Sequence, residues 1–218
     1  GVIAAERDNG VGIVGVAPRA KVVPVRVLDY CGGAYLDEIK TALRYAAGAL
    51  GAPIVTAAFA SDPLEDPLHR ETVNEAFAEV FAEFPDTLFV VAAGNEGVNL
   101  AQENLPVYPC STEGEDGDVL NLLCVGMTDK NDAPVCWGNV GNGVVDVYAP
   151  GVNIFSTVRG NAYASADGTS AATAIVAGVA ALLKANDPSM GAASLRDLLI
   201  DDADPIPTGG AVSVRRVN

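Results

Sequence analysis

Short apolar runs alternate with longer amphipathic stretches along this chain. Val22–Leu28 is a continuous β-rich run and is predicted to be a strand. Tyr35–Leu50 sets Leu36, Ile39, Leu43 and Ala47 on one face at helical spacing. Ile54–Phe59 reads as a second strand, Glu71–Phe84 as a helix and Leu88–Ala93 as a third strand. Leu120–Met127 and Val144–Tyr148 are strand-like, and two helices follow at Ala171–Lys184 and Ala192–Ile200. Continuous apolar strands separated by helices indicate a parallel sheet covered on both faces. The expected fold class is α/β, three-layered, in one domain over residues 1–218, with no linker and no repeat.

Asn99–Asp118 interrupts this alternation as a long polar connection with an acidic stretch of Glu113, Glu115, Asp116 and Asp118. Cys110 and Cys124 flank it with thirteen residues between them and are expected to pair, two independent buried thiols being the alternative. Cys31 and Cys136 are expected to be unpaired with either. No CxxC occurs, and a single histidine among 218 residues argues against structural zinc. The net charge of −15, from 28 acidic against 13 basic residues, argues against nucleic acid and anionic membranes as partners. No uninterrupted apolar run approaches a membrane span. The chain starts at Gly1 with no signal-peptide pattern, so it is expected to begin inside a longer product or after processing.

Three stretches carry candidate chemistry. Gly10–Gly15 fits GxGxxG, but that fingerprint needs a strand before it and a helix after it. Here a helix-like charged stretch, Ala4–Asp8, precedes and Pro18 follows, so a glycine-rich turn is expected. In Gly168-Thr169-Ser170, ahead of an alanine-rich helix, the serine reads either as an N-cap or as a nucleophile in the field of a helix N-terminus. An α/β-hydrolase elbow would need a buried strand before it, and Asn161–Asp167 reads as polar and strandless. Val90-Val91-Ala92-Ala93-Gly94-Asn95-Glu96-Gly97 is a buried strand ending in either a turn or an amide donor at its carboxyl end. An amide donates without titrating, which suits it to an oxyanion.

Taken together, these motifs resemble the subtilisin-like serine proteases. Gly168-Thr169-Ser170 with Val176-Ala177-Gly178 is similar to the family's nucleophile motif, and Ala92-Ala93-Gly94-Asn95 to its oxyanion segment. Tyr148-Ala149-Pro150-Gly151 resembles the stretch leading to the serine. Gly12–Pro18 with Val25-Arg26-Val27-Leu28-Asp29 resembles the region after its histidine motif. Arg216-Val217-Asn218 resembles the opening of its last helix. The five anchors stand in the family's order across the chain.

The resemblance implies a serine endopeptidase domain, with Ser170 as nucleophile and Asn95 as oxyanion donor beside the Ser170 backbone N–H. It implies that the family's Asp and His belong to a segment ahead of Gly1, so the chain is expected to be partial, inactive alone and dependent on that segment. His69, among Asp66, Arg70 and Glu71, is expected at the surface between the second strand and the next helix. Ala58, Phe59 and Ala60, with Ala92, Ala93 and Gly94, match the substrate-binding strands, and Val107 matches the floor of the primary pocket. Protein or peptide substrates and a secreted or extracytoplasmic location follow from the same resemblance. No cofactor is required. A calcium site at Asp8–Ile13 is implied, with the carbonyls of Val11 and Ile13 and the Asn9 side chain as ligands. The chain departs from the pattern at Ala171 and Thr173-Ala174-Ile175, at Ala60 and at Val107. Those departures keep a non-catalytic binding domain of the same fold as the rival reading.

Overall fold

The computed structural model describes residues 1–102, 105–115, 117–206 and 214–217. Asp116 and Asn218 therefore lie outside the described residues. Helix α1 (Leu36–Arg44) leads into a π-helical turn (Tyr45–Ala49), then come β1 (Ile54–Ala57), α2 (Pro67–Glu83), β2 (Leu88–Ala92), β3 (Leu122–Thr128) and β4 (Val147–Pro150). A hairpin of β5 (Ile154–Val158) and β6 (Ala162–Ala166) precedes α3 (Thr169–Asn186), α4 (Ala192–Asp201), β7 (Asp204–Ile206) and β8 (Val214–Arg216). The sheet order is β1-β2-β3-β4-β8-β7, parallel from β1 through β8 and antiparallel between β8 and β7.

All five residues of β2 are buried, and the pleat divides them. Phe89 and Val91 face one layer with Val73, Phe77 and Phe81 of α2, while Leu88 and Val90 face Ala172, Val176 and Ala180 of α3. The α/β fold with helices on both faces is thus what a run that is apolar at every position requires. Helix α3 is long and apolar enough to cross a membrane by length and composition. It packs across β1, β2, β3 and β4 instead. Its apolarity is that of a core helix.

Several boundaries differ from expectation. Val22–Leu28 forms no strand and pairs with none among the described residues, and Val22 and Val23 are exposed. Apolar patterning supplies a strand's side chains and not its ladder. Helix α2 starts at Pro67 because Asp66 caps it, accepting from the His69 N–H at 2.8 Å. His69 therefore lies inside the helix, and it is exposed as expected. Strand β4 starts at Val147 because Asp146 turns inward: its carboxylate accepts from Cys124 N (2.7 Å) and from Arg196 (2.6 Å). Burial pushes the Asp146 carboxyl up to about 6, against the pull of Arg196. Ala4–Asp8 makes only one turn at its start (Ala5 N to Gly1 O, 2.9 Å). Arg216 closes a strand and not a helix.

Asn161–Asp167 is not strandless. Ala162–Ala166 forms β6, paired antiparallel with β5 around a turn where Gly160 and Asn161 have φ of 80° and 56°. Gly-Asn between two short alternating runs was the sequence signal for it. This hairpin is largely exposed and lies outside the main sheet, so it is not the buried strand of a hydrolase elbow. Cys110 and Cys124 form a disulfide, and Cys31 and Cys136 are free.

Candidate active site

Ser170 is the second residue of α3, and it is not the cap. Gly168 caps, with φ 142°, a conformation side-chain-bearing residues rarely adopt. Its N–H is tied to Gly151 O at 2.8 Å. Ser170 is exposed, and its hydroxyl donates to the Ala58 carbonyl at 2.7 Å, just past the end of β1. As a first-turn residue its backbone N–H has no partner within the helix, and the helix dipole favours negative charge there.

Asn95 follows Gly94, whose φ is 99°. Its Oδ1 accepts from Thr169 N (2.9 Å) and Thr169 Oγ1 (3.2 Å), and Thr169 Oγ1 accepts from Gly94 N (3.2 Å). Two donors on one side identify that atom as oxygen and turn the NH₂ the other way. A methyl group on Gly168 would stand 3.6 Å from both carboxamide atoms, so Asn95 lies against the entry to the serine helix. Thr169, fully buried, did not stand out in the sequence, although its place between the capping glycine and the serine was visible.

The substrate-binding candidates lie on three segments of the chain. Ala58, Phe59 and Ala60 follow β1 and are exposed or half-buried. Ser61 fixes this segment to the next: Ser61 N donates to Tyr108 O (2.8 Å), and Tyr108 N donates to Ser61 Oγ (3.0 Å). Val107 is fully buried, and its Cγ1 would meet a side-chain carbon added at Gly94 at 3.4 Å. Ala92, Ala93 and Gly94 are buried, and the fold uses much of their backbone. Ala93 N bonds Val125 O, Ala93 O receives Asn139, and Gly94 O receives Asn139 N.

His69 lies on α2, and the structure does not bring it to Ser170. The Ala58 carbonyl accepts a hydrogen bond but cannot carry a proton away. The Gly10–Gly15 stretch is a turn, with Gly10 and Gly12 at φ 70° and 64° and neither strand nor helix flanking it. In this turn Asn9 Oδ1 accepts from Val11 N (3.0 Å), and Asp8 pairs with Arg7 (2.7 Å).

Comparison with known proteins places this geometry. The model of the Subtilase family (Peptidase_S8) matches residues 1–216. A thermophilic serine proteinase of Bacillus sp. (strain AK1) is 35% identical over 219 residues, covering 100% of this chain and 49% of that protein. M-protease of Shouchella clausii is 35% identical over 203 residues, covering 93% of this chain and 48% of that protein. Thermitase of Thermoactinomyces vulgaris is 35% identical, covering 100% and 70%. The chain thus spans about half the length of the first two relatives. A protease structure from Pseudoalteromonas arctica superposes with TM-score 0.76 at 28% identity, over 93% of this chain and 62% of that one. A cold-adapted subtilisin-like serine proteinase, at TM-score 0.77 and 24% identity over 93% and 68%, shows the shared fold.

Proposed function

This chain belongs to the subtilase family of serine proteases, and from that premise we propose that it hydrolyses peptide bonds by acyl transfer through Ser170. The observation that carries this reading is the joint placement of Ser170 and Asn95. An exposed hydroxyl stands at a helix N-terminus beside a carboxamide whose oxygen is tethered to the residue before that hydroxyl. Ser170 Oγ attacks the scissile carbonyl carbon. The Asn95 NH₂ and the Ser170 backbone N–H receive the oxyanion that forms.

The proton of Ser170 must go to a base. In this reading the histidine and its orienting aspartate come from a segment outside these 218 residues. One edge of β1 has no partner among the described residues. Val25, Val27, Ile39, Leu43, Val55 and Phe59 line an apolar groove of about 640 Å³ that reaches β1. In this reading a parallel strand of that outside segment occupies the groove and gives the unpaired backbone its ladder. Substrates are proteins or peptides. The location is extracytoplasmic, which the Cys110–Cys124 disulfide supports.

The test is labelling by a fluorophosphonate probe. Residues 1–218 alone should label poorly, since loss of the base costs ~10⁶ in kcat, a magnitude taken over from a subtilisin. Adding the upstream segment in trans should restore labelling, and Ser170→Ala should remove it again. Strong labelling of the chain alone would refute its dependence on an outside base.

A further inference from the structure

Asn139 is fully buried on the segment between β3 and β4, with no place in the family motifs above. Its carboxamide uses its whole hydrogen-bonding capacity on one loop. Nδ2 donates to Ala93 O (2.8 Å) and to Glu96 Oε2 (2.6 Å). Oδ1 accepts from Glu96 N (3.1 Å) and Val98 N (3.0 Å). Two donors and two acceptors are all that the group possesses. Its own backbone N–H adds a bond to Gly94 O (3.1 Å), and Val140 N adds one to Val98 O (3.0 Å).

The loop so held, Ala93–Val98, contains Asn95. It has been fitted closely to its clamp. A side chain on Gly94 would stand 2.5 Å from Asn139 Nδ2, and one on Gly97 would stand 2.7 Å from Cys136 O. Both glycines have positive φ, 99° and 69°, so the backbone bends sharply on either side of Asn95. A loop of this shape has few internal hydrogen bonds to keep it. Asn139 supplies them from a neighbouring segment. Thr169 holds the Asn95 side chain, and Asn139 holds the backbone on either side of Asn95, at Ala93 and Gly94 before it and at Glu96 and Val98 after it.

We infer that Asn139 is a positioning residue for the oxyanion donor, acting on catalysis only through Asn95. The kinetic part of this inference rests on the peptidase reading; the structural part does not. Buried Asn121 provides an internal comparison. It also spends its amide on backbone, its two N–H groups shared among the carbonyls of Phe81, Phe84 and Thr87, but at the far end of α2.

The experiment is a double-mutant cycle in the full-length protein, on a peptide substrate. Asn95→Ala is expected to lower kcat by ~10²–10³, a magnitude taken over from the same deletion in a subtilisin. Asn139→Ala should lower kcat by about tenfold or more with KM nearly constant, because the oxyanion exists only in the transition state. In the Asn95→Ala background, Asn139→Ala should change kcat by less than about twofold. Asn121→Ala should weaken the fold while leaving kcat near the parent value. Equal losses from Asn139→Ala in both backgrounds would overturn the inference. If Asn139→Ala does not fold, Asn139→Ser, whose hydroxyl can still receive one loop amide, carries the same cycle. A wild-type protein that cleaves no peptide and takes no probe would defeat the peptidase reading alone. Hydrogen exchange then decides about Asn139. Exchange at Glu96 and Val98 rising about tenfold in the variant, with Phe89–Val91 unchanged, supports the clamp. Unchanged exchange there overturns it.

Discussion

Removing the Cys110–Cys124 bond gives a sharp test of how the segment around Val107 is held. The bond closes a loop with a sequence separation of 14, and both cysteines are buried. Constraining a loop of about that size removes enough unfolded-chain entropy to stabilise by ~3 kcal/mol. The double variant Cys110→Ala/Cys124→Ala leaves no polar group unpaired, so the cross-link dominates its cost. Unfolding entropy is about 2.1 cal/mol/K per residue, hence roughly 0.46 kcal/mol/K for these 218 residues and more for a longer protein, and the melting temperature should fall by up to about 7 °C. The assay is thermal and urea unfolding of full-length wild type and variant, with thiol counting by mass spectrometry. Because the bond lies in the core, a mild reductant should attack it only after unfolding. An unchanged melting temperature would refute the loop-entropy reasoning. Rapid reduction of the native protein would refute its burial. The bond ties Cys110, three residues past Val107, into β3. Loss of substrate selectivity is therefore expected before loss of the fold as the variant is warmed.

Two further outcomes follow from the geometry. On the peptidase reading, with Val107 as the floor of the primary pocket, Val107→Gly removes a buried side chain beside Gly94, so kcat/KM should shift from small toward aromatic P1 residues; a peptide series varied at P1 measures this, and an unmoved preference would refute the floor assignment. The Asp146 carboxyl titrates near pH 6 in the fold and near its ordinary value when unfolded, so the native state binds the extra proton. Its contribution is complete below about pH 4 and lost as pH rises through 6. Urea midpoints at several pH values should therefore fall less steeply between pH 4 and 6 in Asp146→Asn than in wild type, and parallel curves would contradict the assignment.

The parts of this fold that were legible in sequence are those decided locally. β2, α3 and α4 are long or uniformly apolar enough to be read from pattern alone, and the disulfide from the connection it brackets. What escaped was decided by partners. Val22–Leu28 has a strand's side chains without a ladder, and Ala162–Ala166 is a strand only because β5 lies beside it. At the site, the serine could be a cap or a nucleophile until Gly168 proved to be the cap and the hydroxyl proved to reach Ala58. Asn139 carried no motif. A buried asparagine is conspicuous only once its four partners are known.

The site is assembled from distant parts of the chain. The Ser170 hydroxyl meets a carbonyl 112 residues earlier, and Asn95 meets Thr169 across 74 residues. Contacts of such span form late, because closing large loops is slow relative to local structure. Here the Ser170–Ala58 and Asn95–Thr169 contacts join segments that lie in different thirds of the chain, so they should come into register only once the strands between them have paired. A change that slows the pairing of β1 with β2 should therefore delay the site even where it leaves the site's own residues untouched.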